Sequence, residues 1–206
     1  MYIYTVFVYY SIMSKHNKKY IQVINTARDL FCKHGIRRVT VEEICVEAGV
    51  SKMTFYKFFT NKVDLVKHLL VYIYEDGLLQ YRSIMDSDKP YSEKVTELIK
   101  MKIEATNDMS HEFLNDYYSM MDTDLKDFIQ ELTEKNNSII LADFIIAQEA
   151  GNIRKDLKPE FIIYFMSHLA TLVKDQALND LYPDPQEMIR EVMNVFFYGI
   201  MSVSKS

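Results

Sequence analysis

Residues 48–62, AGVSKMTFYKFFTNK, combine a glycine turn, three lysines and four aromatic residues in one short segment. Lysine ammonium groups and the hydroxyls of Ser, Thr and Tyr are hydrogen-bond donors, and such donors bind anionic oxygens. Apolar side chains four residues apart share one face of a helix, as Phe55 and Phe59 do here. The segment therefore predicts a short helix with one face in the core and one face presenting donors to an anionic surface.

The elements on either side of this helix predict a helix-turn-helix motif. Thr40 precedes Glu43 at the spacing of a capping box, which begins a helix at Val41. That helix ends near Gly49, and Ser51 is an N-cap residue for the next helix. Two helices joined by a short turn containing glycine form the helix-turn-helix layout, whose second helix enters the major groove of DNA. The alternative is a surface helix with solvated lysines.

Eight residues of the motif are predicted to contact DNA. Lys52 and Met53 lie where a recognition helix meets base edges, since lysine donates to guanine and methionine makes apolar contacts, for example with a thymine methyl. Hydroxyls and the other ammonium groups donate to phosphate oxygens, which positions a protein without reading sequence. The predicted set is Thr40, Ser51, Lys52, Met53, Thr54, Tyr56, Lys57 and Lys62.

Charge is distributed unevenly along the chain. The net charge of the 206 residues is −5, but residues 14–67 carry an excess of basic side chains and the remainder an excess of acidic ones. A basic segment in an acidic protein is typical of a chain in which only that segment meets a polyanion. The distribution therefore supports the DNA-binding interpretation of the motif.

The rest of the chain predicts an all-α protein of about nine helices. Apolar residues recur at helical spacing, and glycine and proline are few. We expect a DNA-binding domain over residues 15–64 and a larger helical domain over residues 65–206. The predicted helices cover residues 18–34, 41–48, 51–58, 62–84, 92–107, 110–121 and 124–148, with two more beginning at Pro159 and at Asp184-Pro185.

The sequence lacks the patterns of most enzymes. Cys32 and Cys45 form no CxxC pair, and they are expected to be buried thiols in a reducing cytoplasm, with a redox switch between them as the alternative. We find no metal-ligand spacing, no glycine-rich phosphate loop and no nucleophile-base set. We therefore expect no enzymatic activity, no cofactor and no metal.

The first thirteen residues, MYIYTVFVYYSIM, are uncharged and apolar. They carry no basic segment or cleavage site of a signal peptide and are too short to cross a bilayer. We expect a cytoplasmic protein without a membrane partner. Met13 is an alternative start to Met1, because MSKHNKKYIQVI is an ordinary beginning for a soluble helix.

The stretch VTVEEICVEAGVSKMTFYKFFTNKVDL (39–65) resembles the DNA-binding signature of the TetR (tetracycline repressor) family of bacterial transcription regulators. The preceding TARDLF (26–31) and His34-Gly35 fit the same pattern. Three positions depart from it: Cys45, Met53 and Phe58. The matching residues are Thr40, Ile44, Ala48, Gly49, Val50, Ser51, Thr54, Phe55, Tyr56, Phe59, Lys62 and Leu65.

The resemblance implies a homodimer, formed by the last two helices of each subunit, that binds a near-palindromic DNA operator. Such a dimer places two recognition helices about one DNA turn, or a multiple, apart. The apolar stripes of those helices contain the predicted interface residues, although the same stripes also fit a monomer core. The predicted interface residues are Phe161, Phe165, Leu169, Val192, Phe196 and Ile200.

The resemblance also implies a repressor that a small, mostly apolar effector releases from DNA by tilting the fourth helix. The predicted pocket residues, each of which also fits a plain core position, are Phe113, Tyr117, Phe144, Tyr164 and His168. A regulator that is controlled by a protein partner, one that binds no ligand, and an activator are the alternatives. An enzyme is the alternative from another class.

Overall fold

The computed structural model describes residues 17–106, 109–120, 125–169, 171–172, 175–182 and 184–202. Both predicted starts, Met1 and Met13, lie outside these residues. In the described part of the chain, no helix is long and apolar enough to span a membrane.

The fold is all-α, as predicted. The N-terminal predictions were close: the helix Lys18–His34 has the predicted bounds, and Thr40 and Ser51 cap the next two helices as predicted. Asn61 caps the fourth helix. The described residues form ten helices rather than about nine, because the short helix Gln176–Leu181 was not predicted. The helices are α1 Lys18–His34, α2 Val41–Glu47, α3 Lys52–Tyr56, α4 Lys62–Met85, α5 Tyr91–Thr106, α6 His111–Met120, α7 Lys126–Glu149, α8 Pro159–Leu169, α9 Gln176–Leu181 and α10 Pro185–Ile200.

Contacts divide the described residues into two compact units. Unit 1 contains the described residues of 17–78 and 109–133, and unit 2 contains those of 79–106 and 134–202. Helices α4 and α7 contribute residues to both units. The predicted functional division into residues 15–64 and 65–206 stays a prediction.

Unit 1 is built around an aromatic core that fixes the helix-turn-helix. The ring of Tyr20 on α1 stacks on Phe59 with centroids 5.3 Å apart, and Phe55 on α3 lies 5.2 Å from Phe59. All three side chains are fully or almost fully buried. Burial of one such ring contributes about 1.5–3 kcal/mol to folding, so these contacts hold the short α3 in place.

Unit 2 has its own apolar core. Helices α5, α7, α8 and α10 supply it, and Phe165 on α8 lies 6.3 Å from Phe196 on α10. At its polar edge, Tyr81 and Arg82 on α4 donate to the carboxylate of Asp143 on α7 at 2.8 and 3.1 Å. Burial, followed by the hydrogen bond to Asp143, raises the pKa of Tyr81, so this hydroxyl stays protonated.

A buried histidine joins α1 to α4 in unit 1. His68 is 4% exposed, and its Nδ1 lies 2.8 Å from the hydroxyl oxygen of Tyr20. The Nε2 atom lies 3.8 Å from a carboxylate oxygen of Asp64, one turn earlier on α4. Burial lowers the pKa of the imidazole, while the Asp64 carboxylate opposes that shift.

We predict that this histidine makes unit 1 less stable in acid. The pKa of His68 is lower in the folded chain than its ordinary value near 6.5, so the unfolded chain binds the proton more tightly. The stabilisation is complete above pH 6.5 and is lost as pH falls below that value, at up to about 1.4 kcal/mol per pH unit. Chemical denaturation of the wild type and of His68→Gln at pH 5 to 8 measures the effect, and the variant is expected to show a weaker pH dependence.

His168→Gln is the matched control, because it removes an exposed histidine from unit 2. If His68→Gln and the wild type lose stability in parallel between pH 6.5 and 5, His68 is not the group responsible.

Candidate nucleic-acid interface

Local hydrogen bonds define the helix-turn-helix. At the start of α2, the Thr40 hydroxyl accepts from the Glu43 N–H at 3.2 Å, and the Glu43 carboxylate accepts from the Thr40 N–H at 2.7 Å. The predicted capping box is thus present. Gly49 forms the turn with a φ of 61°, a left-handed conformation that glycine adopts without strain. Ser51 then caps α3 by accepting from the Thr54 N–H at 3.1 Å.

The outer face of α3 carries the donors predicted from the sequence. Met53 is 72% exposed and Tyr56 is 56% exposed, while Lys52 and Lys57 are also exposed. Phe55, between them in sequence, is fully buried. The helix therefore separates its packing residues from its polar residues as the spacing predicted.

Five of the eight predicted contact residues also bond to other protein groups, and Lys62 is one of them. Thr40 and Thr54 bond within the caps of α2 and α3. The Lys52 ammonium forms an ion pair with Glu42 on α2. Ser51 caps α3. These contacts fix the orientation of the side chains, and the DNA contacts of all eight stay predictions.

Lys62, the first residue of α4, binds the loop between α1 and α2. Its Nζ donates to the main-chain carbonyls of Ile36, Arg37 and Val39 at 3.0, 3.1 and 2.9 Å. An ammonium group has three N–H donors, so these carbonyls match its full donor capacity. Burial lowers the pKa of Lys62. The sequence predicted a phosphate contact for this lysine and did not predict its role in the loop.

Asp116 on α6 holds the same loop from another side. Its carboxylate accepts from the Arg37 N–H at 2.8 Å and pairs with the Arg37 guanidinium at 3.3 Å. A Cβ atom on Gly35 would lie 2.9 Å from the carboxylate, and the φ of Gly35 is 81°. Glycine is thus needed here for the backbone conformation and for the close approach of α6. Nothing in the local sequence pattern pairs residues 79 positions apart, so this contact was not predicted.

A surface cavity of about 410 Å³ lies beside this contact. Its lining combines basic side chains with two carboxylates. The lining residues are Lys33, His34, Arg37, Arg38, Glu112, Asn115 and Asp116.

The predicted effector-pocket residues do not all belong to one unit. Phe113 and Tyr117 lie on α6 in unit 1, where Phe113 is buried and the Tyr117 hydroxyl lies 3.1 Å from that of Tyr74. Phe144 is buried in the core of unit 2, whereas Tyr164 and His168 are exposed on α8. Their role in ligand binding stays a prediction.

The predicted dimer residues also occupy different environments. Phe161 and Phe165 are exposed on α8, and Leu169 and Val192 are half-buried. Phe196 and Ile200 are buried in the core of their own chain. The outward apolar residues of α10 are instead Val195 and Tyr198, which are 65% and 63% exposed. Neighbouring positions on an amphipathic helix differ by 100° in direction, so a broad apolar stripe did not identify the outer residues.

Across the described residues, no group of three or more His, Cys, Asp or Glu side chains is arranged to hold a metal ion. Cys32 and Cys45 are free and buried, as expected.

We predict that Lys62→Met disturbs the loop and, through it, DNA binding. Loss of hydrogen bonds from a charged donor to three carbonyls should reduce the free energy of unfolding by about 1–3 kcal/mol. Affinity for all duplexes should fall with it, because the loop precedes α2. Thermal unfolding and DNA titration over a range of salt concentrations measure the two effects.

Lys57→Met is the matched control, since it removes an exposed lysine of the same motif. It should reduce the salt dependence of DNA binding by about one ion without a loss of stability. If Lys62→Met behaves in the same way, Lys62 acts as a direct phosphate contact and its loop contacts are unimportant.

Comparison with known proteins agrees with this geometry. Residues 23–69 match the family model described as "Bacterial regulatory proteins, tetR family". The chain is also similar to the "Fatty acid metabolism regulator protein" of Bacillus subtilis, with 26% identity over 154 residues that cover 70% of this chain and 76% of that protein.

Two solved structures have the same fold. The fatty acid degradation regulator FadR from Bacillus halodurans superposes with a TM-score of 0.67 at 21% identity, covering 89% of this chain and 96% of that one. FadR from Bacillus subtilis, in complex with stearoyl-CoA, gives a TM-score of 0.61 at 18% identity, covering 88% and 99%.

The segment that matches the family model contains the capping box, the glycine turn, the donor face of α3 and the lysine that binds the preceding loop. Residues 23–69 thus match the DNA-binding segment of the TetR family of bacterial regulatory proteins, and the chain is a DNA-binding transcription regulator.

Proposed function

We propose that the protein is a repressor that binds a near-palindromic operator as a homodimer and leaves it when a long-chain acyl-CoA binds. The observation that carries the DNA-binding part is the face of α3, on which Lys52, Met53 and Tyr56 are exposed beside a fixed glycine turn, with the exposed Lys57 at the helix end. Such a face suits a major groove lined by phosphates. We place this activity in the cytoplasm, where the operator is found.

Exposed apolar stripes in unit 2 support the homodimer. Phe161 and Tyr164 on α8 are 52% and 61% exposed, and Val195 and Tyr198 supply a similar stripe on α10. Contiguous exposed apolar surface of this kind is typical of protein interfaces. The proposed interface therefore uses the predicted Phe161 and Phe165, with Val195 and Tyr198 in place of the buried Phe196 and Ile200.

The names of the relatives support an acyl-CoA effector. The similar Bacillus subtilis FadR holds stearoyl-CoA in its solved structure. In unit 1 of this chain, the Tyr74 hydroxyl lies 3.1 Å from the hydroxyls of both Tyr117 and Thr133, which joins α4, α6 and α7. We propose that these half-buried hydroxyls meet the polar part of the effector.

Helix α6 connects this hydroxyl cluster to the DNA-binding motif. Tyr117 follows Asp116, whose carboxylate holds the Arg37 N–H and the Arg37 side chain. A shift of α6 would therefore move the loop that precedes α2, and Lys62 would carry the movement to the start of α4. An effector acts through such a path only if it binds the shifted state more tightly than the DNA-bound state.

Selection of random duplex DNA on the purified protein tests the regulator. We expect enrichment of a near-palindrome, bound by two or four chains as judged by native mass spectrometry of the complex. Failure to enrich any sequence at moderate salt, with no ligand retained by the protein, would contradict the proposal.

Two variants test whether the proposed interface forms the dimer. Val195→Asp puts a charge on the exposed stripe of α10 and should yield monomers that bind the palindrome weakly. Leu79→Asp changes an equally exposed leucine on α4, outside both stripes, and should leave the dimer intact. Dimers of Val195→Asp would place the interface elsewhere.

We predict that Asp116→Asn weakens the response to effector more than it weakens DNA binding. Without its charge, residue 116 holds Arg37 less firmly, so movement of α6 displaces the loop less. Stearoyl-CoA should release the wild type from the selected operator, and the variant should need a concentration about 5-fold higher or more, within the usual range of allosteric coupling. Fluorescence anisotropy of labelled operator measures the release.

Asp127→Asn, an exposed carboxylate on α7, is the control and should respond as the wild type does. Equal responses of Asp116→Asn and the wild type would remove Asp116 from the coupling path. A wild type that stearoyl-CoA does not release would exclude this effector class.

A further inference from the structure

Acidic side chains lie unexpectedly close to the DNA-reading face. Helix α2 carries three exposed carboxylates, Glu42, Glu43 and Glu47. Glu43 belongs to the capping box with Thr40. Glu42 has no part in that box and instead reaches across the turn to the first residue of α3, where it pairs with the Lys52 ammonium. A carboxylate at this place would repel DNA phosphates, so its position needs an explanation other than electrostatic attraction to DNA.

Folding stability does not supply that explanation. The side chains of Glu42 and Lys52 are 59% and 55% exposed, and ion pairs between exposed side chains contribute little to stability. The contact does change the two groups themselves. The hydrogen bond to Glu42 raises the pKa of Lys52, and the same bond lowers the pKa of Glu42. Both groups are thus charged at neutral pH and held against each other.

The pair presents a donor and an acceptor side by side at the start of the recognition helix. In the major groove, a G·C pair offers the guanine O6 and N7 as acceptors and the cytosine N4 amino group as a donor. Lysine donates to guanine, and glutamate accepts from cytosine N4. An A·T pair presents a different pattern, with the adenine N6 donor next to N7 and a thymine methyl group.

We propose that Glu42 is a specificity-determining residue that works with Lys52 as one reading pair and favours a G·C pair at one position of each operator half-site. The carboxylate limits contact of Lys52 with phosphates by holding its ammonium, and it accepts from cytosine N4 when Lys52 donates to guanine. Glu42 therefore reduces affinity for DNA in general and increases preference for one base pair. This inference depends on the proposed DNA-binding function and extends the base-reading surface from α3 to α2.

The test compares wild type, Glu42→Gln, Lys52→Met and the double variant on the selected operator, on operators with single base-pair changes and on random duplex. Glu42→Gln should bind random duplex more tightly than the wild type and lose about tenfold of its discrimination at one G·C position, the size typical of one good base contact. Because the two residues act together, Glu42→Gln should change discrimination at that position little when Lys52 is already methionine.

Glu47→Gln is the matched control, since it removes the same charge from the other end of α2. It should leave discrimination at every position unchanged. Thermal unfolding of each variant verifies folding, which these exposed substitutions should preserve.

The other outcomes separate this inference from the proposed function. If Glu42→Gln raises affinity for all duplexes equally, Glu42 only repels phosphate and the reading pair is excluded. The same conclusion follows if its effect at the G·C position persists fully with Lys52→Met. In both cases the selected operator still establishes the regulator. A wild type that enriches no operator would instead overturn the proposed function and this inference together.

Discussion

The arrangement of the DNA-binding motif depends on one ammonium group. Lys62 binds the carbonyls of Ile36, Arg37 and Val39, three acceptors that the turn between α1 and α2 leaves outside any helix. Burial of a main-chain carbonyl without a hydrogen-bond partner costs free energy of folding. The single ammonium group of Lys62 donates hydrogen bonds to three such carbonyls. The loop so fixed places Thr40, and Thr40 begins α2. The orientation of α3 follows, because only a short glycine turn separates the two helices.

Helix α3 has only five residues, and it has to pack against the core on one side while its other side stays exposed. Phe55 anchors this helix by packing against Phe59, which stacks on Tyr20 of α1. His68 bonds to the same tyrosine, so α1 and α4 share one buried cluster beneath the reading face. An isolated helix of this length is unstable in water. Aromatic residues are therefore concentrated in this basic segment because their rings hold the helix whose other side meets DNA.

Sequence patterns predicted the structural features that depend on residues close together in the chain. The helix caps at Thr40, Ser51 and Asp184 could be predicted from the sequence because each joins groups two or three residues apart. The ion pair of Arg37 with Asp116 joins groups 79 residues apart, so no periodicity of the sequence predicts it. On α10, periodicity located the apolar stripe but not which of Val195 and Phe196 faces outward, since that choice depends on how α8 packs. Helix α9 was missed because six residues contain too few repeats to show a period.

The loop between α1 and α2 is held mainly through its main chain: Lys62 binds carbonyl oxygens, and Asp116 binds an N–H. Main-chain groups are the same in every amino acid, so these bonds do not themselves depend on the side chains of the loop. Those side chains are restricted for other reasons, because Ile36 and Val39 are buried and Arg37 pairs with Asp116. Its length is not free, because an inserted or deleted residue would shift each carbonyl away from the ammonium. At Gly35, the backbone conformation and the close contact with α6 both exclude a side chain. Descendants of this protein would thus keep the spacing from Gly35 to Thr40 even where a single side chain between them had been replaced.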